Sequence, residues 1–238
     1  MTKTRNVCLV TARGGSKRLP HKNVIDLGGL PLAGHSLDVA LKSGCFDKIV
    51  LSSDDPEILS ITKSFPGVEL DNRALDLAGD KVKVIDVVLD CVSRPEIEKN
   101  FDTITLLLPT APFRRPADVR GGFERLDRDI DCVLSVTDFD FPPQMGVQLG
   151  EKDALVPIFD PSPLITGNTR SQDQAADNRP NGGFFIAWID RLKENKSFYR
   201  GKPRCYVMPK LNSVDIDTGE DLEVARALLG AGLIDLGR

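Results

Sequence analysis

The 238-residue sequence has little of what marks several common classes of protein. It contains one Trp, two Tyr and two His, and basic residues do not alternate with aromatic ones, so it offers no stacking platform for bases. A formal net charge of -4 also argues against a general nucleic-acid surface. No apolar run approaches the roughly 20 residues that a membrane-spanning helix needs. We therefore expect neither nucleic acid nor a membrane as a partner.

Cysteine patterns that bind zinc are also missing. The five cysteines are widely spaced and mostly set in apolar runs, and none forms a C-x-x-C pair or a cluster with histidine. This pattern favours buried, reduced thiols. Residues 1–6 are polar and basic, but the apolar stretch after them is too short for a secretory signal. We therefore expect a cytoplasmic protein.

The chain has the composition of a globular enzyme, with 41% hydrophobic and 28% charged residues. Its length suits one large domain, or one domain with a lobe. Apolar runs at 7–10, 48–53, 67–70, 103–108 and 132–136 alternate with helical patterns. This order predicts a doubly wound, mostly parallel α/β sheet, with the most apolar run, TITLLL, as its central strand.

Residues 7–23, VCLVTARGGSKRLPHKN, carry the strongest chemical signal. An apolar strand leads into a loop in which Gly14 and Gly15 allow a sharp turn and close approach to a ligand. The charged donors Arg13, Lys17 and Lys22 suit a polyphosphate. The loop is neither a Walker A motif nor a G-x-G-x-x-G fingerprint. A solvated basic turn is the alternative interpretation.

The positive field around this loop is local, because the chain as a whole is acidic. No acidic residue precedes Asp26, whereas the basic residues before it are Lys3, Arg5, Arg13, Lys17, Arg18 and Lys22. Asp54 and Asp55 end the strand at 48–53, where they could contact the same ligand or cap the following helix. The helix at 31–43 contains His35, which we predict to lie on the helix surface or at an interface, without a catalytic role.

A second chemical centre is predicted at residues 213–222, SVDIDTGEDL. On a strand, Asp215 and Asp217 would project from one face with their roots about 6.6 Å apart, while Ile216 points to the core. Two such carboxylates can hold Mg²⁺ or Mn²⁺ together with substrate phosphates. Alternatively, Asp217 and Thr218 cap a helix at about 219–229, which would leave Asp215 unexplained.

Residues 12–23, ARGGSKRLPHKN, resemble the signature loop of the CMP-sugar-acid synthetases, the cytidylyltransferases that activate sialic acid and related nonulosonic acids. The resemblance recurs in order along nearly the whole chain, in GGLPLAGHSLDVALKSGCFDKIVLSSDD, LLLPTAPFR, RPNGGFF and SVDIDTGEDLEVA. It implies a Rossmann-like nucleotidyltransferase that transfers CMP from CTP to the anomeric hydroxyl of a nonulosonic acid. The alternatives are an enzyme for 3-deoxy-manno-octulosonate or another sugar, and a non-catalytic nucleotide-binding homologue.

The resemblance also assigns residues to the nucleotide and its metal ion. Arg73, in the segment DNRALDLAGD at 71–80, matches a family position that helps to hold the nucleotide. The family places its magnesium on the pair Asp215 and Asp217. With Arg13 and Lys22, these aspartates are the predicted catalytic residues. The loop that wraps CTP in the family corresponds here to Ala12, Arg13, Gly14, Gly15, Lys17, Lys22 and Asn23.

Proline-punctuated residues at about 138–182 predict a small β-hairpin lobe inserted into the single domain of residues 1–238. In the family this lobe packs against a second subunit, which implies a homodimer. Within 169–179, Arg170 and Arg179 could bind the carboxylate of the sugar acid, or could be solvated loop charges. Gln172 is retained from the family pattern.

The resemblance implies that three aromatic residues face the sugar, namely Phe185, Phe198 and Tyr199. Leu108 stands where sialic acid synthetases typically carry a glutamine that contacts the sugar, and this departure disfavours N-acetylneuraminate as the substrate.

Overall fold

A computed structural model describes residues 4–237, so that residues 1–3, including the basic Lys3, and residue 238 lie outside the described part. The chain divides into two compact units. The first, here called the sheet unit, comprises the chain up to Val136 and from Asn181 onward. The second, Thr137–Pro180, is called the hairpin unit.

The described residues form short strands and helices in alternation. The strands are β1 (Asn6–Thr11), β2 (Asp26–Leu27), β3 (Leu30–Pro31), β4 (Lys48–Ser53), β5 (Val68–Asn72), β6 (Thr103–Leu107), β7 (Cys132–Asp138), β8 (Val147–Leu149), β9 (Leu155–Pro157), β10 (Asn178–Trp188) and β11 (Pro203–Val207). The helices are α1 (Leu32–Ser43), α2 (Pro56–Ser60), α3 (Val84–Ser93), α4 (Pro95–Glu98), α5 (Pro116–Phe123), α6 (Pro163–Thr166), α7 (Ile189–Asn195) and α8 (Gly219–Gly230).

Seven strands form one sheet in the order β11-β7-β10-β6-β1-β4-β5. β1 runs parallel to β4 and β6, β5 runs parallel to β4, and β10 is antiparallel to β6. β6 is the middle strand and all five of its residues are buried, which confirms the prediction for TITLLL. The predicted doubly wound, mostly parallel α/β fold is likewise confirmed.

Side chains that alternate along β1 create a core on each face of the sheet. Val7 and Leu9 pack in a cluster with residues of α3 and α7. Cys8 and Val10 pack in a second cluster with residues of α1, α2 and α5. Because helices cover both faces, a ligand can approach the sheet at the edge where the parallel strands end.

α1 ends as predicted, at Gly44, whose φ of 66° is a left-handed conformation that favours glycine. The prediction for His35 was wrong, because its side chain is 2% exposed. Its Nε2 lies 2.8 Å from the carbonyl oxygen of Leu27. Leu27 is a buried residue of the short hairpin of β2 and β3, which follows the basic loop.

The hairpin unit contains the predicted hairpin, in which antiparallel β8 and β9 place Val147 opposite Pro157 and Leu149 opposite Leu155. Apolar side chains of this unit are exposed to an unusual degree, with Leu149 at 77% and Ile165 at 74%. None of the helices within residues 4–237 is both long enough and apolar enough to cross a membrane.

Candidate active site

A cleft of about 700 Å³ opens at the edge where β1, β4 and β6 end, and its lining belongs to the sheet unit. The basic loop and the aspartate pair meet there, although Lys22 and Asp217 are 195 positions apart in the sequence. The lining includes Arg13, Lys17, Arg18, Lys22, Asn23, Arg73, Asp80, Asp215 and Asp217. The predicted phosphate and metal centres therefore face one cavity.

Three of the predicted nucleotide-binding residues shape the basic loop. Ala12 is buried, and its amide donates to the carbonyl of Ser52 over 3.0 Å. Asn23 is also buried, and its Nδ2 donates to the Arg13 carbonyl over 2.8 Å. The Gly14 amide donates to Asp54 Oδ1 over 3.1 Å. These bonds hold the loop in the shape that presents its cations to the cleft.

The two loop glycines differ in what surrounds them. A Cβ on Gly14 would lie 2.6 Å from Asp55 Oδ2, so glycine is required there by the close approach of another side chain. A Cβ on Gly15 would meet no atom within 4 Å. Asp55 caps α2 by accepting a hydrogen bond from the Glu57 amide over 2.8 Å. Capping therefore accounts for Asp55, and Asp54 supports the loop.

Asp217 accepts hydrogen bonds from two cations of the basic loop. Lys22 Nζ lies 2.8 Å from Oδ1, and Arg18 Nη2 lies 2.6 Å from Oδ2. Burial raises the pKa of Asp217, but the hydrogen bonds and charges of Lys22 and Arg18 outweigh it and lower the pKa below its ordinary value. Asp217 is thus an ionised carboxylate at neutral pH.

The segment that carries the aspartate pair is not the strand that we predicted. A 3₁₀ turn, Lys210–Ser213, leads into extended chain that hydrogen-bonds to the loop after β6, where the Ile216 amide donates to the Thr110 carbonyl over 2.8 Å. The predicted alternation is nevertheless present. Ile216 is fully buried, while Asp215 and Asp217 line the cleft.

Helix capping explains Thr218 and leaves the Asp217 carboxylate for other partners. Thr218 is the N-cap of α8, and its Oγ1 accepts from the Asp221 amide over 3.3 Å. Asp221 completes the capping box by accepting from the Thr218 amide over 2.7 Å. The cap fixes where α8 begins, and with it the position of Asp217.

Asp215 and Asp217 offer the oxygen donors that a hard divalent cation prefers. Residues 4–237 contain no group of three or more His, Cys, Asp or Glu side chains that could hold a metal ion. Phosphate oxygens and water would therefore have to complete the shell, which is usual for Mg²⁺. Such an ion would replace at least one of the bonds that Lys22 and Arg18 make to Asp217. Within these limits the pair fits a magnesium ion shared with phosphates.

Asp80, which also lines the cleft, holds the remaining two cations of the basic loop. Arg13 Nη1 lies 3.1 Å from Asp80 Oδ1, and Lys17 Nζ lies 2.6 Å from Oδ2. The hydrogen bond and charge of Lys17 are the main reason that the pKa of Asp80 is lowered. Sequence reasoning missed Asp80. Its position in 71–80, the segment that resembles a nucleotide-holding loop, was the available signal.

Arg73 directly follows β5 and lines the cleft from a buried position beside the end of β4. Its Nη2 donates to the Ser52 carbonyl over 2.6 Å and its Nε to Ser52 Oγ over 3.2 Å. Burial lowers the pKa of Arg73, while Asp54 and Asp71 act in the opposite direction. The structure therefore places Arg73 beside the basic loop as a fixed cation.

A buried arginine that sequence reasoning did not single out supports the loop after β6. Arg114 is 2% exposed, and its Nη2 donates to the Leu108 carbonyl over 2.6 Å. It also donates to the Gly183 carbonyl and to Ser36 Oγ. Burial lowers the pKa of Arg114 to about 10. Arg114 thereby fixes the loop of which Leu108 and Thr110 line the cleft.

The predicted sugar-facing aromatic residues lie together but are not part of the cleft lining among the described residues. The rings of Phe185 and Phe198 are 5.2 Å apart, and both side chains are buried. Tyr199 lies 6.0 Å from Phe185 and is 59% exposed. Their role in sugar binding stays a prediction.

Arg170, Gln172 and Arg179 belong to the hairpin unit. Arg170 is exposed, and its Nε lies 3.7 Å from Asp173 Oδ2. Gln172 is exposed as well, whereas Arg179 is half-buried. Their contact with a sugar acid stays a prediction.

A model of the cytidylyltransferase family matches residues 7–129 of this chain. The pseudaminic acid cytidylyltransferase of Campylobacter jejuni is 32% identical over 229 residues, which cover 94% of this chain and 96% of that protein. The CMP-N,N'-diacetyllegionaminic acid synthase of Legionella pneumophila is 31% identical over the same length and coverage.

A solved structure of a CMP:2-keto-3-deoxy-manno-octonic acid synthetase complexed with CTP aligns with a TM-score of 0.67. It is 21% identical and covers 96% of this chain and 100% of that chain. This likeness shows a shared fold.

Proposed function

The chain belongs to the cytidylyltransferase family, and from this premise we propose that it transfers CMP from CTP to the anomeric hydroxyl of a nonulosonic acid. The observation that carries the proposal is the convergence of the loop cations with Asp215 and Asp217 on one cleft. The relatives named for pseudaminic and diacetyllegionaminic acids support an acceptor of this class. Leu108, which lines the cleft, supports an acceptor other than N-acetylneuraminate.

The basic loop is suited to hold the triphosphate of CTP. Arg13, Lys17 and Lys22 present charged donors to the cleft, and Arg73 adds a cation from the end of β5. Charge-assisted hydrogen bonds of this kind are about twice as strong as neutral ones. The buried side-chain amide of Asn23 keeps the loop backbone in place by donating a hydrogen bond to the Arg13 carbonyl.

In the proposed reaction the anomeric hydroxyl oxygen of the sugar acid attacks the α-phosphorus of CTP. The bond between the α-phosphorus and the oxygen that bridges to the β-phosphate breaks, pyrophosphate leaves, and the hydroxyl proton is released. Negative charge builds up on the phosphoryl oxygens, so fixed cations lower the barrier. Arg13 and Lys22 are the residues that we assign to this stabilisation.

Asp215 and Asp217 would hold a Mg²⁺ or Mn²⁺ ion. When bound, such an ion neutralises negative charge on the phosphoryl oxygens. Asp215 is exposed toward the cleft and Asp217 is ionised, which supports this role for both carboxylates. A bound ion would replace at least one of the bonds that Asp217 makes to Lys22 and Arg18, and the cation released in this way could contact the phosphates instead.

We also propose that the sugar acid contacts Arg170, Gln172, Arg179, Phe185, Phe198 and Tyr199.

We propose a homodimer that forms through the hairpin unit, because that unit exposes apolar side chains such as Phe141, Leu149 and Leu155, at 60%, 77% and 60%. Sedimentation of the wild type and of Leu149→Glu would test this, and an unchanged monomer in both would contradict it. The proposed location is the cytoplasm, since the five cysteines form no disulfide.

The experiment that tests the proposed function is a pyrophosphate-release assay with each of CTP, UTP, GTP and dTTP. Each nucleotide is combined with pseudaminic, legionaminic, N-acetylneuraminic, ketodeoxynonulosonic and 3-deoxy-manno-octulosonic acids, and the product mass is measured. We expect turnover with CTP and a nonulosonic acid. Turnover with 3-deoxy-manno-octulosonate or another nucleotide would overturn the substrate assignment. CTP binding without turnover on any acceptor would indicate a non-catalytic homologue.

A further inference from the structure

The four cations of the basic loop are paired two by two with two different carboxylates of the cleft lining. Arg18 and Lys22 are bound to Asp217, for which the proposed metal site supplies a role. Arg13 and Lys17 are bound to Asp80, for which the proposed reaction supplies none. The two cations on Asp80 are nevertheless among those that we assign to the phosphates of CTP. A carboxylate therefore sits where a phosphate is expected.

Asp80 lies in a segment that is loosely attached to the rest of the sheet unit. Residues 74–82, here called the Asp80 segment, contain no buried residue, and Leu75 within it is 82% exposed. The segment is fixed at one end by Arg73 and at the other by the Lys83 amide, which donates to Asp86 Oδ2 over 3.0 Å at the start of α3. A stretch with so little buried surface opens at low free-energy cost.

The ion pairs of Asp80 are the side-chain bonds that tie this segment to the basic loop in the described part of the chain. All three side chains reach solvent, since Lys17 is 78% exposed, Asp80 49% and Arg13 38%. Exposed ion pairs are weak and are screened by salt. A group with several negative charges can therefore replace a single carboxylate on these cations.

We propose that the Asp80 carboxylate takes the place of a phosphate group on Arg13 and Lys17 and is displaced by the nucleotide triphosphate. This proposal rests on the proposed function, because it requires CTP to bind at the basic loop. Asp80 then competes with CTP for the two cations, and it repels the bound phosphates until the segment moves away. The same competition acts on pyrophosphate and so favours its release.

The opposite role for Asp80 makes an opposite prediction. If Asp80 held a metal ion with the phosphates, or fixed Arg13 and Lys17 in their binding positions, removing its charge would weaken CTP binding. If Asp80 competes with phosphate, removing its charge tightens CTP binding. The sign of the change therefore distinguishes the two roles.

The test is calorimetric titration of wild type, Asp80→Asn and Asp76→Asn with CTP, pyrophosphate and cytidine at fixed magnesium. Asp76 is an exposed residue of the same segment, so its variant controls for the change in net charge. We expect Asp80→Asn to bind CTP and pyrophosphate about 2- to 5-fold more tightly, because exposed ion pairs have energies of this order. Cytidine, which has no phosphate, should bind equally to all three proteins. High salt should reduce the difference.

Two results would overturn the role of Asp80. One is CTP binding that Asp80→Asn leaves unchanged or weakens, and the other is a gain that Asp76→Asn reproduces in full. In both cases wild-type binding of CTP would leave the proposed function intact. A wild-type protein that binds no CTP would instead contradict the proposed function, and the role of Asp80 with it.

Discussion

The two carboxylates that hold the basic loop differ in how firmly each is built into the sheet unit. Asp217 follows the fully buried Ile216 and precedes the N-cap of α8, whereas Asp80 lies in a segment without a buried residue. The lysines differ in the same way, because the side chain of Lys22 is 12% exposed and that of Lys17 is 78% exposed. The arginines differ in the opposite way, with Arg18 on Asp217 at 67% and Arg13 on Asp80 at 38%. We call Asp217 with Lys22 and Arg18 the Asp217 end of the cleft, and Asp80 with Arg13 and Lys17 the Asp80 end. The carboxylate of the first is held in place by the surrounding chain, whereas the carboxylate of the second can be replaced by another anion.

This difference matters because the same pair of charges interacts more strongly where water is excluded. At about 4 Å, a unit pair is worth about 1 kcal/mol in bulk water and roughly 4 kcal/mol at a protein-surface dielectric, before desolvation. We therefore expect substitutions at the Asp217 end to affect catalysis and binding more strongly than those at the Asp80 end.

The largest effect is expected from Asp215→Ala. Loss of a carboxylate that helps to hold the proposed metal ion should lower kcat by about 10³-fold, a size typical of removing one group that stabilises the transition state. Because Asp215 is exposed, the melting temperature should stay close to that of the wild type. Turnover near the wild-type rate would contradict the proposed metal site.

Lys22→Ala and Lys17→Ala form a matched pair that compares the two ends directly. We expect Lys22→Ala to weaken CTP binding about 30-fold and Lys17→Ala about 3-fold, since the first cation is more sheltered from water. The KM for the sugar acid should change little in either variant. Titration with CTP measures both losses, and equal losses would mean that the two ends do not differ.

Gly14→Ala and Gly15→Ala test how tightly the loop itself is packed. An added Cβ at Gly14 meets Asp55, so we expect a loss of about 1–2 kcal/mol in the free energy of unfolding from the displaced atoms. Gly15→Ala is the control, because its Cβ would meet no atom within 4 Å. Urea denaturation measures both values. A Gly14→Ala variant as stable as the wild type would show that the loop and Asp55 can move apart at little cost in free energy.

The smallest effect is a pH dependence at Asp217. Its pKa is lower in the folded protein than the ordinary value of 3.8, so the ionised carboxylate stabilises the fold above that pH. We expect Asp217→Asn to lose about 1 kcal/mol near neutral pH, and the difference from wild type to shrink as pH falls through the folded-state pKa. Urea denaturation across this range is the measurement. A difference that does not depend on pH would exclude the carboxylate charge as its cause.

The apolar pattern of the sequence was enough to predict the sheet, whereas the meeting of its two chemical centres was implied by the resemblance to a known family. TITLLL is central because a strand that is apolar on both faces must be covered on both faces. The basic loop and Asp217 meet because β1 and β6 end at one edge and the Ile216 segment bonds to the loop after β6. None of this required a known ligand.

The sequence predictions failed where contacts between distant parts of the chain determine the local structure. Polar and apolar residues alternate along residues 213–217 as in a strand, but this segment hydrogen-bonds to a loop. The periodicity of a sequence does not show which partner an extended segment has. His35 is buried and bonds to the Leu27 carbonyl in the short hairpin of β2 and β3, which is too small to predict from the sequence. Asp80 pairs with Arg13 across 67 positions. Its place in segment 71–80 indicated a position near the nucleotide, but not which cation it would bind.

The balance of ionised groups around the cleft sets which form of the nucleotide it neutralises. Of the described residues that line it, five are cationic and three are carboxylates, which leaves two positive charges. Free CTP carries roughly four negative charges at neutral pH, and its complex with one divalent cation about two. Once the triphosphate has displaced Asp80, five cations and two carboxylates leave three positive charges on the lining. They compensate the metal–nucleotide complex in full, whereas uncomplexed CTP would keep an excess of negative charge.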